Sequence, residues 1–102
     1  MRPQVITQTG TGSTAWIPLD YKQAPFNIGF GILATGTVNY TIEHTFDDIF
    51  DSSITPTVFA HSTVTAQTAN ANSNYAFPIR AVRVTVNSGT GSAKLTLLQG
   101  LR

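Results

Sequence analysis

Acidic and imidazole side chains concentrate in one short segment, HTFDDIFD, which contains His44, Asp47, Asp48 and Asp51. These groups are of the kind that bind a divalent cation or serve a metal-dependent reaction. The D-D-x-x-D spacing is typical of a prenyl-diphosphate metal site only on a long helix, and an EF-hand would need a glycine at its bend. We therefore predict a solvated loop in which the aspartates cap turns, with a cation site as the alternative.

The tetrapeptide GTGS occurs twice, at residues 10–13 and 89–92, and raises the question of a phosphate cradle. With Ala15, the first copy matches the G-x-G-x-x-A fingerprint of dinucleotide-binding loops. Such a loop holds a pyrophosphate because its glycines open a helix, and the following STAWIPLD is a poor helix start. Both copies are therefore predicted to be turns between strands, since glycine reaches positive φ at little cost.

Two histidines and four aromatic residues are further candidates. His44 or His61 could activate a nucleophilic serine, but no G-x-S-x-G elbow accompanies them, and we expect packed or surface histidines instead. Four aromatic residues could form a carbohydrate-stacking platform, although core or interface positions are the commoner place for them: Trp16, Tyr21, Tyr40 and Tyr75.

The composition limits the classes of protein to consider. The 102 residues are enough for about one domain, predicted to span 1–102. Charged residues make up 11%, against about 25% in an average domain, and the net charge is only +1. Because the six basic residues are scattered, no nucleic-acid partner is expected. With no cysteine, the chain can form neither a disulfide nor a cysteine-based zinc site.

Neither a membrane span nor a secretion signal is predicted. The longest apolar stretch, residues 26–34, is too short and too rich in glycine to cross a bilayer. The opening MRPQVITQ lacks the apolar core of a signal peptide, so we expect folding in a cytoplasm.

Alternation of apolar and polar residues predicts strands along most of the chain. The first two are QVITQ and TAWIPL, with Pro18 marking an edge. FNIGFGILA and TVNYTIEH are predicted to form one hairpin, and AVRVTVN and SAKLTLLQG a second, each around a glycine turn. Gly29 and Gly31 weaken their strand, and we expect a neighbouring group to lie close against them.

From residue 45 to 74 the alternation fades, with short strands expected at 57–60 and 63–67. A long irregular segment in a small domain is usually functional. Its apolar residues Phe46, Ile49, Phe50 and Phe59 are therefore predicted to form a partner interface.

About seven to eight short antiparallel strands indicate an all-β protein. Two sheets can bury their apolar faces against each other, so we predict a small β-sandwich, either immunoglobulin-like or jelly-roll. A small β-barrel is the alternative.

Three segments resemble small virion structural proteins of tailed bacteriophages: GTGSTAWIPLDYKQAPFNIGFG, YTIEHTFDDIFD and NYAFPIRAVRVTVNSGTGSAKLTLLQG. The resemblance lies in short strands, richness in threonine and glycine, and the lack of cysteine. Such proteins include capsid decoration or cement proteins, which often use small β-sandwiches to cover seams between capsomers. No binding residue of that group can be transferred to a position of this chain.

The resemblance implies a non-enzymatic virion protein, most simply a capsid decoration protein that stabilises the phage head. Its partners would be the major capsid protein or other virion proteins, and further copies of itself. We expect no cofactor, metal or small-molecule substrate. A tail or head-to-tail connector component, or a carbohydrate- or receptor-binding module, is the alternative.

Overall fold

The computed structural model describes residues 4–19 and 27–99, and within them the chain is all β, with nine strands and no helix. The strands are β1 (Gln4–Thr9), β2 (Gly12–Ser13), β3 (Ile17–Pro18), β4 (Ile28–Thr35), β5 (Val38–Thr45), β6 (Phe59–Ala60), β7 (Ala71–Tyr75), β8 (Ala81–Gly89) and β9 (Ser92–Gln99). The predicted all-β class is confirmed.

The strands form two antiparallel sheets that face each other. The first sheet has the order β1-β9-β4-β7, and the second has the order β2-β8-β5-β6, with β3 also paired to β8. Because β2 and β3 lie along the same partner strand, they act as one interrupted strand, and each sheet is effectively four-stranded. Strands adjacent in sequence mostly lie in opposite sheets. This arrangement is that of a jelly-roll sandwich, and it decides between the two predicted sandwich types.

Both predicted hairpins are wrong in their pairing. β4 and β5 are joined by a tight turn, but β4 pairs with β9 and β7, whereas β5 pairs with β8 and β6. Likewise β8 and β9 belong to different sheets. These connections are arches across the core. Alternation could not distinguish an arch from a hairpin, because each strand buries the same side chains in either arrangement.

Inward-facing apolar residues fill the space between the sheets. Ile28, Phe30 and Ile32 of β4 are buried, as the alternation predicted. They pack in one cluster with Tyr40 and Ile42 of β5, with the valines of β8, and with Leu95 and Leu97 of β9. Phe26, expected on the same face, lies outside the described residues.

The two GTGS copies are turns, as predicted, and they meet. Gly10 has φ of 72° and Gly89 has φ of 101°, a conformation that favours glycine. The amide of Gly10 donates to the carbonyl of Gly91 at 2.9 Å, and the amide of Gly91 donates to the carbonyl of Thr37 at 2.8 Å. Three turns are thereby hydrogen bonded to one another at one end of the sandwich.

Other local predictions had mixed outcomes. Pro18 lies in an edge strand, as expected. The strand expected at 57–60 is reduced to β6, and that at 63–67 to an isolated bridge between Tyr40 and Gln67. β7 was missed, because its polar sequence ANSNY has no clear alternation.

Among the described residues, the expectation that a neighbouring group lies close against Gly29 and Gly31 is wrong. A methyl group built on either residue meets no atom of this part of the chain within 4 Å. Both glycines face outward from the first sheet into open space.

Candidate protein-binding surface

The loop between β5 and β6 is shaped by its aspartates. Oδ1 of Asp48 accepts from the amide of Phe50 at 3.0 Å, and Oδ2 of Asp47 accepts from the amide of Thr57 at 2.7 Å. Oδ1 of Asp51 accepts from the amide and hydroxyl of Ser53 at 2.9 and 2.6 Å, and these bonds lower the pKa of Asp51. The predicted turn-capping role is confirmed for Asp48 and Asp51, whereas Asp47 joins the two ends of the loop.

The alternative cation site finds no support in this geometry. The described residues contain no group of three or more histidine, aspartate or glutamate side chains that could hold a metal ion. His44 is hydrogen bonded to a tyrosine, since its Nδ1 lies 2.9 Å from the hydroxyl of Tyr75.

Beside this loop, three phenylalanines gather into an aromatic patch, defined as Phe46, Phe59 and Phe77. They come from the segment after β5, from β6 and from the segment after β7. The ring of Phe46 lies 5.7 Å from that of Phe59 and 6.3 Å from that of Phe77. Each side chain is about half exposed, at 49%, 46% and 48%. Such grouped, half-exposed aromatics are typical of protein-binding surfaces.

His44 supports the patch from beneath. It is buried, and its ring centroid lies 5.5 Å from that of Phe46 and 5.8 Å from those of Phe59 and Phe77. Tyr75 packs edge-on against the imidazole at 4.9 Å. The three exposed rings therefore pack on a buried imidazole that is itself packed against Tyr75.

A second histidine completes this base. The ring of His61 lies 4.8 Å from that of Tyr75. Its Nδ1 accepts from the amides of Thr63 and Val64 at 3.1 and 3.2 Å, so Nε2 carries the proton and donates to the carbonyl of Asn74 at 3.1 Å. Since both ring nitrogens are engaged, the observed role of His61 is to fix the backbone of the 61–64 segment.

Burial sets the protonation of the His44–Tyr75 pair. It lowers the pKa of His44, with a smaller contribution from His61, and raises the pKa of Tyr75, with a smaller contribution from Glu43. Tyr75 therefore stays protonated and donates to Nδ1 of neutral His44. The pair is a structural hydrogen bond within an apolar environment.

The four residues predicted to form an interface fall into two places. Phe46 and Phe59 are in the aromatic patch. Ile49 and Phe50 lie instead beside Leu19, around a depression of about 280 Å³. Sequence reasoning missed Phe77, although its spacing of two from Tyr75 could have indicated that both rings belong to one cluster.

The alternative of a sugar-stacking platform gains no support from the described aromatic residues, and two of them are in the core, as expected. Tyr40 and Tyr75 are in the core, and Tyr21 lies outside the described residues. The guanidinium of Arg83 lies 4.4 Å above the ring of Trp16, and Nε of Arg83 is held by Glu43 at 2.8 Å. One face of Trp16 is thus covered by an anchored cation.

Comparison with known proteins adds one likeness of fold. No protein-family model and no curated protein matches this chain. A solved structure of Bacillus endospore appendages, described as a novel family of disulfide-linked pili, is similar with a TM-score of 0.52. It is 16% identical, and the match covers 99% of this chain and 87% of that one. The likeness is one of fold: an all-β sandwich shared at low identity. The described residues also include no helix long and apolar enough to cross a membrane.

Proposed function

We propose that this chain is a non-enzymatic structural subunit that attaches to other proteins of a particle through the aromatic patch. The observation that carries this is the patch itself, three half-exposed phenylalanines packed around a buried histidine. Interface residues that contribute most to affinity are often aromatic side chains already held in place, because little conformational entropy is then lost on binding.

The particle we propose is a phage head, on which the chain serves as a decoration protein. The sequence resemblance to small virion proteins supports this assignment. The jelly-roll fold is compatible with it, since viral capsid proteins are among its users, although one fold serves many functions. The low charge content, 11%, also suits a subunit that loses much of its surface to neighbours.

The experiment is binding of the purified chain to heads that lack it. Phe77→Ser and Phe46→Ser should each weaken binding about tenfold or more, because truncating one well-packed aromatic residue in an interface often costs over 1 kcal/mol. Val5→Thr is the matched control: Val5 is 56% exposed but lies on β1, away from the patch, and should bind as the unmodified chain does.

Copy number separates the versions of this proposal. Hundreds of copies on each purified particle would support head decoration, and tens would support the tail or head-to-tail connector. If all three variants bind equally, the patch is not the attachment surface. If the chain is absent from particles, the virion proposal is wrong.

A second candidate is a filament subunit, and the fold shared with the endospore appendage pilus favours it. Because this chain has no cysteine, a filament of it would be held without disulfide bonds. Electron microscopy of the concentrated protein distinguishes this candidate, which requires extended filaments in the absence of any capsid.

A further inference from the structure

The outward face of the first sheet contains a shallow groove with a glycine at its base, here called the Gly31 groove. It has a volume of about 390 Å³ and is lined mainly by Gly31, Leu33, Asn72, Lys94 and Thr96. Register places Leu33 of β4 directly beside Lys94 of β9, and Gly31 beside Thr96. Leu33 is half exposed, so the groove combines apolar surface with a positive charge.

No contact within the described molecule accounts for the glycine. A methyl group on Gly31 would meet nothing within 4 Å, and glycine in the interior of a strand weakens it. An outward glycine of this kind marks a place where another chain can approach the sheet closely. A second copy can supply the neighbour that the described residues of one copy lack.

An acidic surface, which contrasts with the lysine of the groove, is on the Phe50 loop, defined as residues 47–54. Phe50 is 78% exposed, the highest value among the large apolar side chains that the structure describes. It is flanked by Asp48 and Asp51, and with Asp47 the loop holds three of the five acidic residues of the chain. The loop thus presents an exposed aromatic ring with acidic neighbours in the sequence, while Arg80 lies beside it in the depression near Leu19.

The two surfaces belong to opposite sheets of one copy. The groove lies on the outward face of the first sheet, in the middle of β4 and β9, whereas the loop joins β5 and β6 of the second sheet. Phe50 lines a separate depression with Leu19 and Arg80. A contact between loop and groove must therefore join two copies.

We propose that the Phe50 loop of one copy docks into the Gly31 groove of the next. Phe50 covers the glycine and contacts Leu33, while the loop carboxylates lie close to Lys94. Charge complementarity selects this occupant, because Lys94 is the charged side chain among those described as lining the groove. The contact joins two different surfaces, so it propagates into a ring or an open chain. It extends the proposed function and uses none of the aromatic patch.

The test is the concentration dependence of mass in sedimentation equilibrium. The unmodified chain should associate into a series of oligomers, and Lys94→Glu should weaken association about tenfold, a change of about 1.4 kcal/mol. Ser52→Lys places a positive charge on the exposed loop without removing a capping aspartate. Combined with Lys94→Glu, it should restore association, and added salt should weaken every charge-dependent contact.

Gly31→Thr separates docking from folding. Because threonine favours strands and the site is open, this variant should have a melting temperature about 4 °C higher while its association falls. Gly29→Thr, two residues away on the same strand and outside the groove lining, should gain stability with a smaller loss of association. A purely structural role for Gly31 predicts no loss of association.

Mixing two defective variants tests that the contact joins unlike surfaces. Lys94→Glu keeps an intact loop, and Phe50→Ser keeps an intact groove, so the mixture should form dimers and nothing longer. A chain that stays monomeric at about 1 mM, or a Lys94→Glu variant that associates normally, would overturn the proposal. If Gly31→Thr instead loses binding to phage heads with self-association unchanged, the groove belongs to a capsid contact and the proposal is also wrong. Loss of head binding in Phe77→Ser with association intact would leave both proposals standing.

Discussion

At the scale of single residues, the polar groups that could have done chemistry are committed to structure. Asp47, Asp48 and Asp51 accept hydrogen bonds from the loop they lie in. His61 holds three backbone groups, and His44 accepts the hydroxyl of Tyr75. Several large side chains left exposed near these groups are apolar, including Phe46, Phe50 and Phe59, so these residues favour a binding function over a catalytic one.

His44 makes the stability of the fold depend on pH. Its pKa in the folded chain lies below the ordinary value of 6.5, so the unfolded chain binds a proton at a higher pH than the folded chain does. The stabilisation is therefore complete above about pH 6.5 and is lost as the pH falls towards the folded pKa. We expect the free energy of unfolding to decrease as the pH falls through about 6.5 towards the folded pKa.

Urea denaturation at a series of pH values measures this dependence. The matched variant is His44→Gln, whose amide oxygen can still accept from Tyr75 but does not titrate. Its unfolding free energy should vary less with pH than that of the unmodified chain. Equal slopes for the two proteins would show that His44 is not the group responsible.

At the scale of elements, the turns and the strands place opposite demands on glycine. Gly89 has φ of 101°, and a methyl group there would overlap the carbonyl oxygen of Thr37 in the neighbouring turn. Gly29 has neither constraint. Glycine is thus needed at residue 89 for the turn conformation, whereas at residue 29 it only leaves the sheet surface uncovered.

Alanine at these positions should act in opposite directions. Gly89→Ala should destabilise the fold by roughly 2 kcal/mol or more, because it combines a strained conformation with a backbone clash. Gly29→Ala should stabilise it by about 0.5 kcal/mol, because alanine loses less backbone entropy on folding. Both values follow from the midpoints of denaturant unfolding of each variant and the unmodified chain, provided that their m-values are equal. Destabilisation of similar size in both variants would contradict this distinction.

The elements also show what the sequence could and could not reveal. The faces of β4, β5, β8 and β9 were predictable, since burial follows alternation residue by residue. Partner strands were not, because Ile28 or Val84 is buried equally well in a hairpin or in an arch. In the candidate site, Phe46 and Phe59 were predicted as apolar loop residues. Their grouping with Phe77 was not predictable, because it depends on the positions of β5, β6 and β7 in two different sheets.

At the scale of the whole molecule, the jelly-roll order separates neighbours in sequence and pairs residues far apart. β1 pairs with β9 across almost the full length of the chain, with Val5 opposite Thr96. β4, in the middle of the first sheet, also pairs with β9. Local hairpins therefore contribute little to this sandwich, and most sheet contacts require long loops to close first.

This topology predicts slow folding. All-β domains dominated by distant pairings fold in milliseconds to seconds, and we expect a refolding rate on the order of 1 s⁻¹ at 25 °C. The fluorescence of Trp16, the single tryptophan, should report the reaction in stopped-flow refolding, because its ring is covered by Arg83 of β8 once the second sheet has formed. A brief unfolding pulse before refolding removes slow proline phases, so the remaining rate reflects topology. Refolding within microseconds under these conditions would mean that local contacts drive folding, which is incompatible with the pairing of β1 and β4 to β9.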